Sequence, residues 1–341
     1  MTAGEIRIDP ISGRMAIIVP GRSARPNEHA IAAPTAPAET GCPFCEGNEG
    51  RTPSEVAAFG PPGRGPDTAG WFVRTIPNRF PTVTLESPPS TASRSVSDLE
   101  GVPAVGHHEV VIESPSHAPS LGFLPVDQVD RVVRMWRDRV RFLSAQPEVG
   151  SVTLFENTGP ESGGSLWHPH AQLVTIPRPT PALEEEGAGA ERYRRTREVD
   201  CAFESVAAAE LQDGRRTVID SDGFVAFAPF ASGVPYEVRL QTRRHARSFA
   251  EVTDDEARAL ANHLRSLLQG LLAILRGASY NLVVRSPVAP APGLDQYHWH
   301  LDLYPRLVRP DGFDLGSMVA VNTVPPEVAA EALRTAIAAK R

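Results

Sequence analysis

The sequence predicts an α+β protein built from two repeated halves, and three observations carry that expectation. Strand-like and helix-like segments occur in the same order on both sides of residues 176–190. Each half ends in His-x-His on a strand, HPH at 168–170 and HWH at 298–300. Each motif also follows an upstream histidine at nearly equal distance, 51 residues from His117 to His168 and 53 from His245 to His298. A duplicated module is the economical source of such a pattern.

In the first half, WFVRTI (71–76), PTVTL (81–85) and HHEVVIE (107–113) are rich in β-branched and aromatic residues and read as strands. They lead to His117. A helix follows, because Val129, Val132, Val133, Trp136 and Val140 recur at helical spacing. Next come the strand VTLFEN (152–157), a Gly-rich loop and the HPH strand. In the second half TVID (217–220), FVAFA (224–228) and YEVRLQ (236–241) lead to His245. Thr253 with Glu256 three residues on marks a capped helix start. The strand YNLVV (280–284), a Pro-rich loop and HWHLDLY (298–304) complete the order. Between the halves, IPRPTPALEEEGAGA (176–190) reads as a linker or lid, since its prolines block regular pairing. The expected domains are therefore 1–190 and 191–341.

A chain of 341 residues has ample material for a core. Its net charge of −7 argues against nucleic acid as the main partner, because duplex binders carry a basic excess. No secretion signal is expected at MTAGEIRIDP, and LLQGLLAIL (267–275) is far too short to span a membrane. Three cysteines, only two of them close together, make a poor disulfide framework. A reducing cytoplasm is the expected setting, with no nucleic-acid or membrane partner.

The tight pair is CPFC (42–45), a metal knuckle or a redox pair. A redox pair normally opens a helix after a strand, and this Pro/Gly-rich context favours zinc instead. Two thiolates need two more ligands for a closed tetrahedral site, and His117 and His168 are the natural candidates. The loop ENTGPESGGS (156–165) leads directly into LWHPHAQ. Gly159, Gly163 and Gly164 let backbone N–H groups approach an anion, and Ser165 adds a hydroxyl. His168, His170 and Gln172 then follow at the two-residue spacing of one strand face. A neutral imidazole is a competent nucleophile near pH 7, and phosphorus is its plausible electrophile. His107 and His108 read as structural or solvated, and Trp136 as core.

These residues resemble the galactose-1-phosphate uridylyltransferase branch of the histidine-triad superfamily, close also to its ADP-glucose phosphorylase-like members. The matching pieces are RSARP (22–26), CPFC, NRFP (78–81), SPSH ending at His117, ENTG…GGSLWHPHAQ (156–172), HWHLDLYPRL (298–307) and GFDLGSMVAVNTVPPE (312–327). The resemblance implies two tandem histidine-triad (HIT-like) domains with antiparallel sheets and flanking helices. It implies a homodimer, and ping-pong transfer of a nucleoside monophosphate between a nucleotide sugar and a sugar phosphate.

By position, His170 would be the nucleophile, with Gln172, Ser165 and the amides of Gly163 and Gly164 on the phosphoryl oxygens. Asn157 would belong to the nucleotide site, and Asn78 to the turn that contacts the nucleoside. Arg22 and Arg25 match phosphate-contacting arginines. Cys42, Cys45, His117 and His168 match the structural zinc set, while His168 O and Pro169 O both remain candidate acceptors for the second ring nitrogen of His170. For a second zinc or iron, one pattern in the family points to Glu186, His298 and His300. The other points to Cys201, Glu204 (in place of a cysteine), His245 and His298. The solvated acidic run remains the plain reading of Glu184–Glu186. Ser317 and Met318 stand where some members carry an aromatic and an acid on the hexose. That leaves open an ADP-sugar phosphorylase, a nucleotide hydrolase, or a zinc-stabilised nucleotide-binding protein without catalysis.

Overall fold

Ten antiparallel strands form one continuous sheet, five from each half of the chain. The computed structural model describes residues 4–24, 41–86, 103–118, 120–288 and 294–340. Two short strands, β1 (Glu5–Ile8) and β2 (Met15–Ile18), open the chain. The first half supplies β3 (Ala57–Phe59), β4 (Val73–Pro77), β5 (His108–Ile112), β6 (Ser151–Thr158) and β7 (His170–Ile176). The second supplies β8 (Thr217–Ser221), β9 (Phe224–Phe227), β10 (Val238–Thr242), β11 (Tyr280–Arg285) and β12 (His300–Pro305). A last strand, β13 (Ala320–Asn322), pairs with β2 in a small sheet of three strands.

The two sets repeat one order, β3-β4-β5-β7-β6 and β8-β9-β10-β12-β11, and meet where β6 pairs with β11. The α+β class and the antiparallel sheet are as expected. The helices α1 (Val126–Ser144) and α4 (Asp254–Ile274) occupy corresponding places in the two halves. Trp136 from α1 and Leu264, Leu268 and Leu271 from α4 share one apolar core with Leu154, Leu173, Leu282 and Leu301 of the sheet. Because side chains alternate along a strand, burying Ala171 and Leu173 against the helices turns His170 and Gln172 to the opposite face. The same alternation places His300 and Asp302 opposite Leu301 and Leu303.

Two local expectations are corrected. PTVTL is not a strand; it keeps only an isolated bridge between Thr84 and Val105. Residues 176–190 are not a structureless linker, since α2 (Pro181–Arg197) begins inside them. The Thr180 hydroxyl caps the Leu183 N–H, and Pro181 takes the first helical position, where no N–H is needed. Gly189 lets this helix pass against the turn after β1, because a Cβ there would collide with the Ile11 carbonyl. The helices α3 (Ala202–Asp213), α5 (Gly312–Ser317) and α6 (Pro326–Ala338) complete the fold. Among the described residues no helix is long and apolar enough to cross a membrane.

One polar pair lies inside the core. Glu113 and Glu156 are fully buried, and among the described residues neither oxygen of Glu113 meets a partner at full hydrogen-bonding geometry. Glu156 accepts from Thr158 Oγ1 at 2.7 Å and Tyr280 OH at 3.1 Å. Burial first, then the charge of Glu156, holds the Glu113 carboxyl well above the ordinary carboxylate range. The folded state therefore binds more protons than the unfolded chain above the ordinary range, and stability falls as pH rises through that window. Glu113→Gln is expected to raise the melting temperature by a few degrees at pH 8 and to change little at pH 5. Equal melting curves at both pH values would contradict this.

Candidate active site and metal centres

Cys42, Cys45, His117 and His168 converge from an early loop, the loop after β5 and the residues just before β7. Their ligand atoms all lie within 4.8 Å of one another. His168 Nδ1 is 3.7 Å from Cys42 Sγ and 3.6 Å from Cys45 Sγ, and His117 Nδ1 is 3.8 Å from Cys45 Sγ. Sulfur and nitrogen bound to one tetrahedral zinc are about 3.6 Å apart, so these residues fit such an ion. His168 Nε2 donates to the Ser114 carbonyl at 2.7 Å, which commits Nδ1 to the thiolates. Burial pulls the His168 imidazole down to about 4, favouring the neutral form that ligation needs.

His170 is 6% exposed, and its Nδ1 donates to the His168 carbonyl at 2.8 Å. The carbonyl of Pro169 accepts instead from the Glu113 backbone N–H, so of the two candidate acceptors His168 O is the one used. This leaves His170 Nε2, without its proton, for a cavity of about 520 Å³ that His170 lines. Burial lowers the basicity of His170, partly offset by its bond to the His168 carbonyl. Phe44 packs edge-on against the His170 ring at 5.3 Å. Ser165, Gln172 and Asn78 line the same cavity.

Arg51, Arg79 and Phe80 line it too, and the sequence reading missed them, because single residues in loops carry no periodic signal. His108, read as structural or solvated, is buried, with its Nε2 3.0 Å from both Gln172 Oε1 and Asn78 Nδ2. Gly163 holds a left-handed turn at φ 85°, and a Cβ on Gly164 would lie 2.7 Å from the Asn157 carbonyl. The loop is also held by the second half. Asn281 Nδ2 donates to Asn157 Oδ1 at 2.6 Å and to the Ser162 carbonyl at 2.9 Å. Asn157 is therefore tied to β11 and is not among the cavity-lining residues. Arg22 pairs with Asp311 at 3.3 Å and is not among the cavity-lining residues, and Arg25 lies outside the described residues.

The six residues considered for a second metal divide into two groups. Cys201, Glu204, His245 and His298 bring their ligand atoms within 4.8 Å of one another. Glu204 Oε1 is 2.9 Å from His245 Nδ1 and 3.5 Å from His298 Nδ1. Burial pushes the Cys201 thiol up to about 11, so ligation there must displace a proton.

Glu186 and His300 do not join them. Glu186 is buried rather than solvated, and it accepts from Tyr297 OH at 2.5 Å. Arg285 Nε stands 3.6 Å and Arg239 Nη2 3.8 Å from Glu186 Oε1. Both arginines also bond to Asp302. Guanidinium groups already neutralise these carboxylates, so the cluster has no need of a cation.

A family model described as galactose-1-phosphate uridyl transferase, N-terminal domain, matches residues 3–177. An ADP-glucose phosphorylase from Arabidopsis thaliana is 28% identical over 97% of this chain and 92% of its own length. A galactose-1-phosphate uridylyltransferase from Thermotoga maritima is 27% identical over 97% of this chain and 98% of its own. Among solved structures, an Arabidopsis thaliana ADP-glucose phosphorylase with bound ADP-glucose superimposes with a TM-score of 0.81 at 26% identity, covering 98% of both chains. With its fold, its histidine strand and its Cys/His cluster all in place, this chain belongs to the galactose-1-phosphate uridyl transferase family.

Proposed function

We propose that the protein is a nucleotidyltransferase of the hexose-1-phosphate uridylyltransferase type, working through a nucleotidyl-histidine at His170. The observation that carries this reading is a single bond, His170 Nδ1 to the His168 carbonyl, which aims an unprotonated Nε2 into the cavity. Nε2 attacks the α-phosphorus of a nucleotide sugar, a P–N bond forms, and the P–O bond to the departing sugar 1-phosphate breaks. An oxygen of the second sugar 1-phosphate then attacks the same phosphorus, the P–N bond breaks, and His170 is restored. Gln172, Ser165 and the amides of Gly163 and Gly164 hold the non-bridging oxygens.

Cys42, Cys45, His117 and His168 would hold zinc, whose chemistry here is structural, stiffening the strand end that carries His170. Cys201, Glu204, His245 and His298 would form a weaker second site. We take the chain as two tandem domains, the second supporting the phosphate loop through Asn281. A homodimer is the expected assembly.

The likeness to the ADP-glucose phosphorylase supports a second reading, in which inorganic phosphate replaces the sugar 1-phosphate acceptor. Intact-mass measurement after incubation with a panel of nucleotide sugars separates the two. A gain of about 306 Da marks a uridylyl adduct and one of about 329 Da an adenylyl adduct. No adduct with any donor would end both readings.

The pH profile follows from the environment of His170. The reactive form is neutral, and burial lowers its protonation below the ordinary 6.5. Adduct formation is expected to stay level from pH 8 down past 6.5 and to fail only in more acidic solution. A half-point above 6.5 in single-turnover assays would contradict it.

A further inference from the structure

A carboxamide at the position of Gln172 can present either its oxygen or its NH₂ to a ligand. Only the NH₂ can donate to a phosphoryl oxygen. Something must hold the amide that way round, and His108 is placed to do so. It lies on β5, buried, on the face of the sheet that bears His170 and Gln172. The backbone N–H of Thr82 donates to His108 Nδ1 at 3.0 Å. A nitrogen that accepts an N–H carries no proton, so the proton of the neutral ring is on Nε2. That Nε2 lies 3.0 Å from Gln172 Oε1. The N–H therefore engages the amide oxygen and leaves the Gln172 NH₂ for the cavity.

Asn78 extends the argument. Its Nδ2 also lies 3.0 Å from His108 Nε2, while its Oδ1 accepts from the Phe80 backbone N–H at 2.8 Å. Two donors facing each other gain nothing. The Asn78 NH₂ therefore finds no acceptor at His108, and the cavity that Asn78 lines is where it can be satisfied. One ring, fixed by one backbone bond, thus sets the direction of the Gln172 amide, while the Phe80 N–H sets that of Asn78.

We propose that His108 is a positioning residue for nucleotidyl transfer, acting through Gln172 as the Nε2–H tautomer. The inference rests on the nucleotidyl-transfer reading of the site, but its first test does not require turnover. ¹⁵N NMR of histidine-labelled protein should report His108 protonated on Nε2 and not on Nδ1. The opposite tautomer would overturn the proposal whatever the enzyme turns over.

The second test is kinetic. His108→Phe keeps the ring and removes the donor, and it should slow adduct formation on the order of 10- to 100-fold, with a smaller change in KM for the nucleotide sugar. His108→Gln can return an N–H to the Nε2 position and should recover much of the rate. In a Gln172→Ala background, His108→Phe should cost little more, because its main target is already gone. Losses that multiply in the double variant, or a His108→Phe protein as fast as the wild type, would overturn the proposal. Should His108→Phe fail to fold, the tautomer measurement and His108→Gln still decide. Absence of any adduct in the wild-type protein would instead remove the transfer reading and leave the tautomer result standing.

Discussion

His170→Ala is expected to abolish the nucleotidyl adduct and to lower turnover by about 10⁴-fold or more. The reason is that Nε2 of His170 forms the bond to phosphorus, and alanine offers no atom to replace it. Binding should survive, because Ser165, Gln172 and Asn78 still line the cavity and the Phe44 side chain has only lost an edge contact. Direct displacement by the second phosphate would then have to cross the repulsion between two anions without a covalent relay. Single-turnover release of sugar 1-phosphate, read beside intact mass, checks the expectation. An adduct in this variant, or turnover near the wild-type rate, would assign the nucleophile to another residue.

The second large effect should come from Cys45→Ser. Cys42 and Cys45 sit in a loop without regular secondary structure, tied among others by Asn48 Nδ2 to the Cys42 carbonyl at 2.8 Å and Glu46 N to the Pro115 carbonyl at 2.9 Å. Metal binding would supply much of the free energy that orders this loop, as it does in small metal-bound folds. Losing a thiolate should release about one metal equivalent per chain and lower the melting temperature by roughly 10 °C.

Catalysis should fall with it. His168 carries both a ligand nitrogen and the carbonyl that holds His170, so a slack His168 lets the nucleophile turn. Elemental analysis, calorimetry and adduct formation on the same sample test the chain of cause. A variant that keeps its metal and its melting temperature would break it. In the wild-type protein, a second equivalent held by Cys201, Glu204, His245 and His298 should leave first during chelator dialysis, because a carboxylate replaces a thiolate.

Much of this was legible in the sequence wherever the signal is short-range. Alternation along β7 set Gln172 on the face of His170, opposite Ala171 and Leu173, and helical spacing buried Trp136. The spacing of CPFC and the capping box at Thr253 are likewise local, and both are found where the sequence put them. Weakly patterned stretches were read less well. PTVTL has the composition of a strand but no partner beyond one bridge, and the prolines of 176–190 stand before and at the first turn of α2 instead of breaking it.

What the sequence determined by itself is the repeated α+β plan and the Cys/His set, while the assignment of His170 rather than His168 as the nucleophile came from the family resemblance. The plan and the set follow from backbone periodicity and from the ligand demands of a metal, which act over a few residues or on unmistakable residue types. Only the tertiary structure decided that Glu186 and His300 belong with Arg239 and Arg285, while Glu204 joins Cys201, His245 and His298. Only it showed that His168 O, not Pro169 O, holds His170, and that His108 faces Gln172. The physical reason is the same throughout, and for His170 the distant group is the Glu113 N–H that takes the Pro169 carbonyl. Charge compensation and hydrogen-bond direction depend on groups brought together across the sheet from distant parts of the chain, and no local pattern encodes which of several eligible partners arrives.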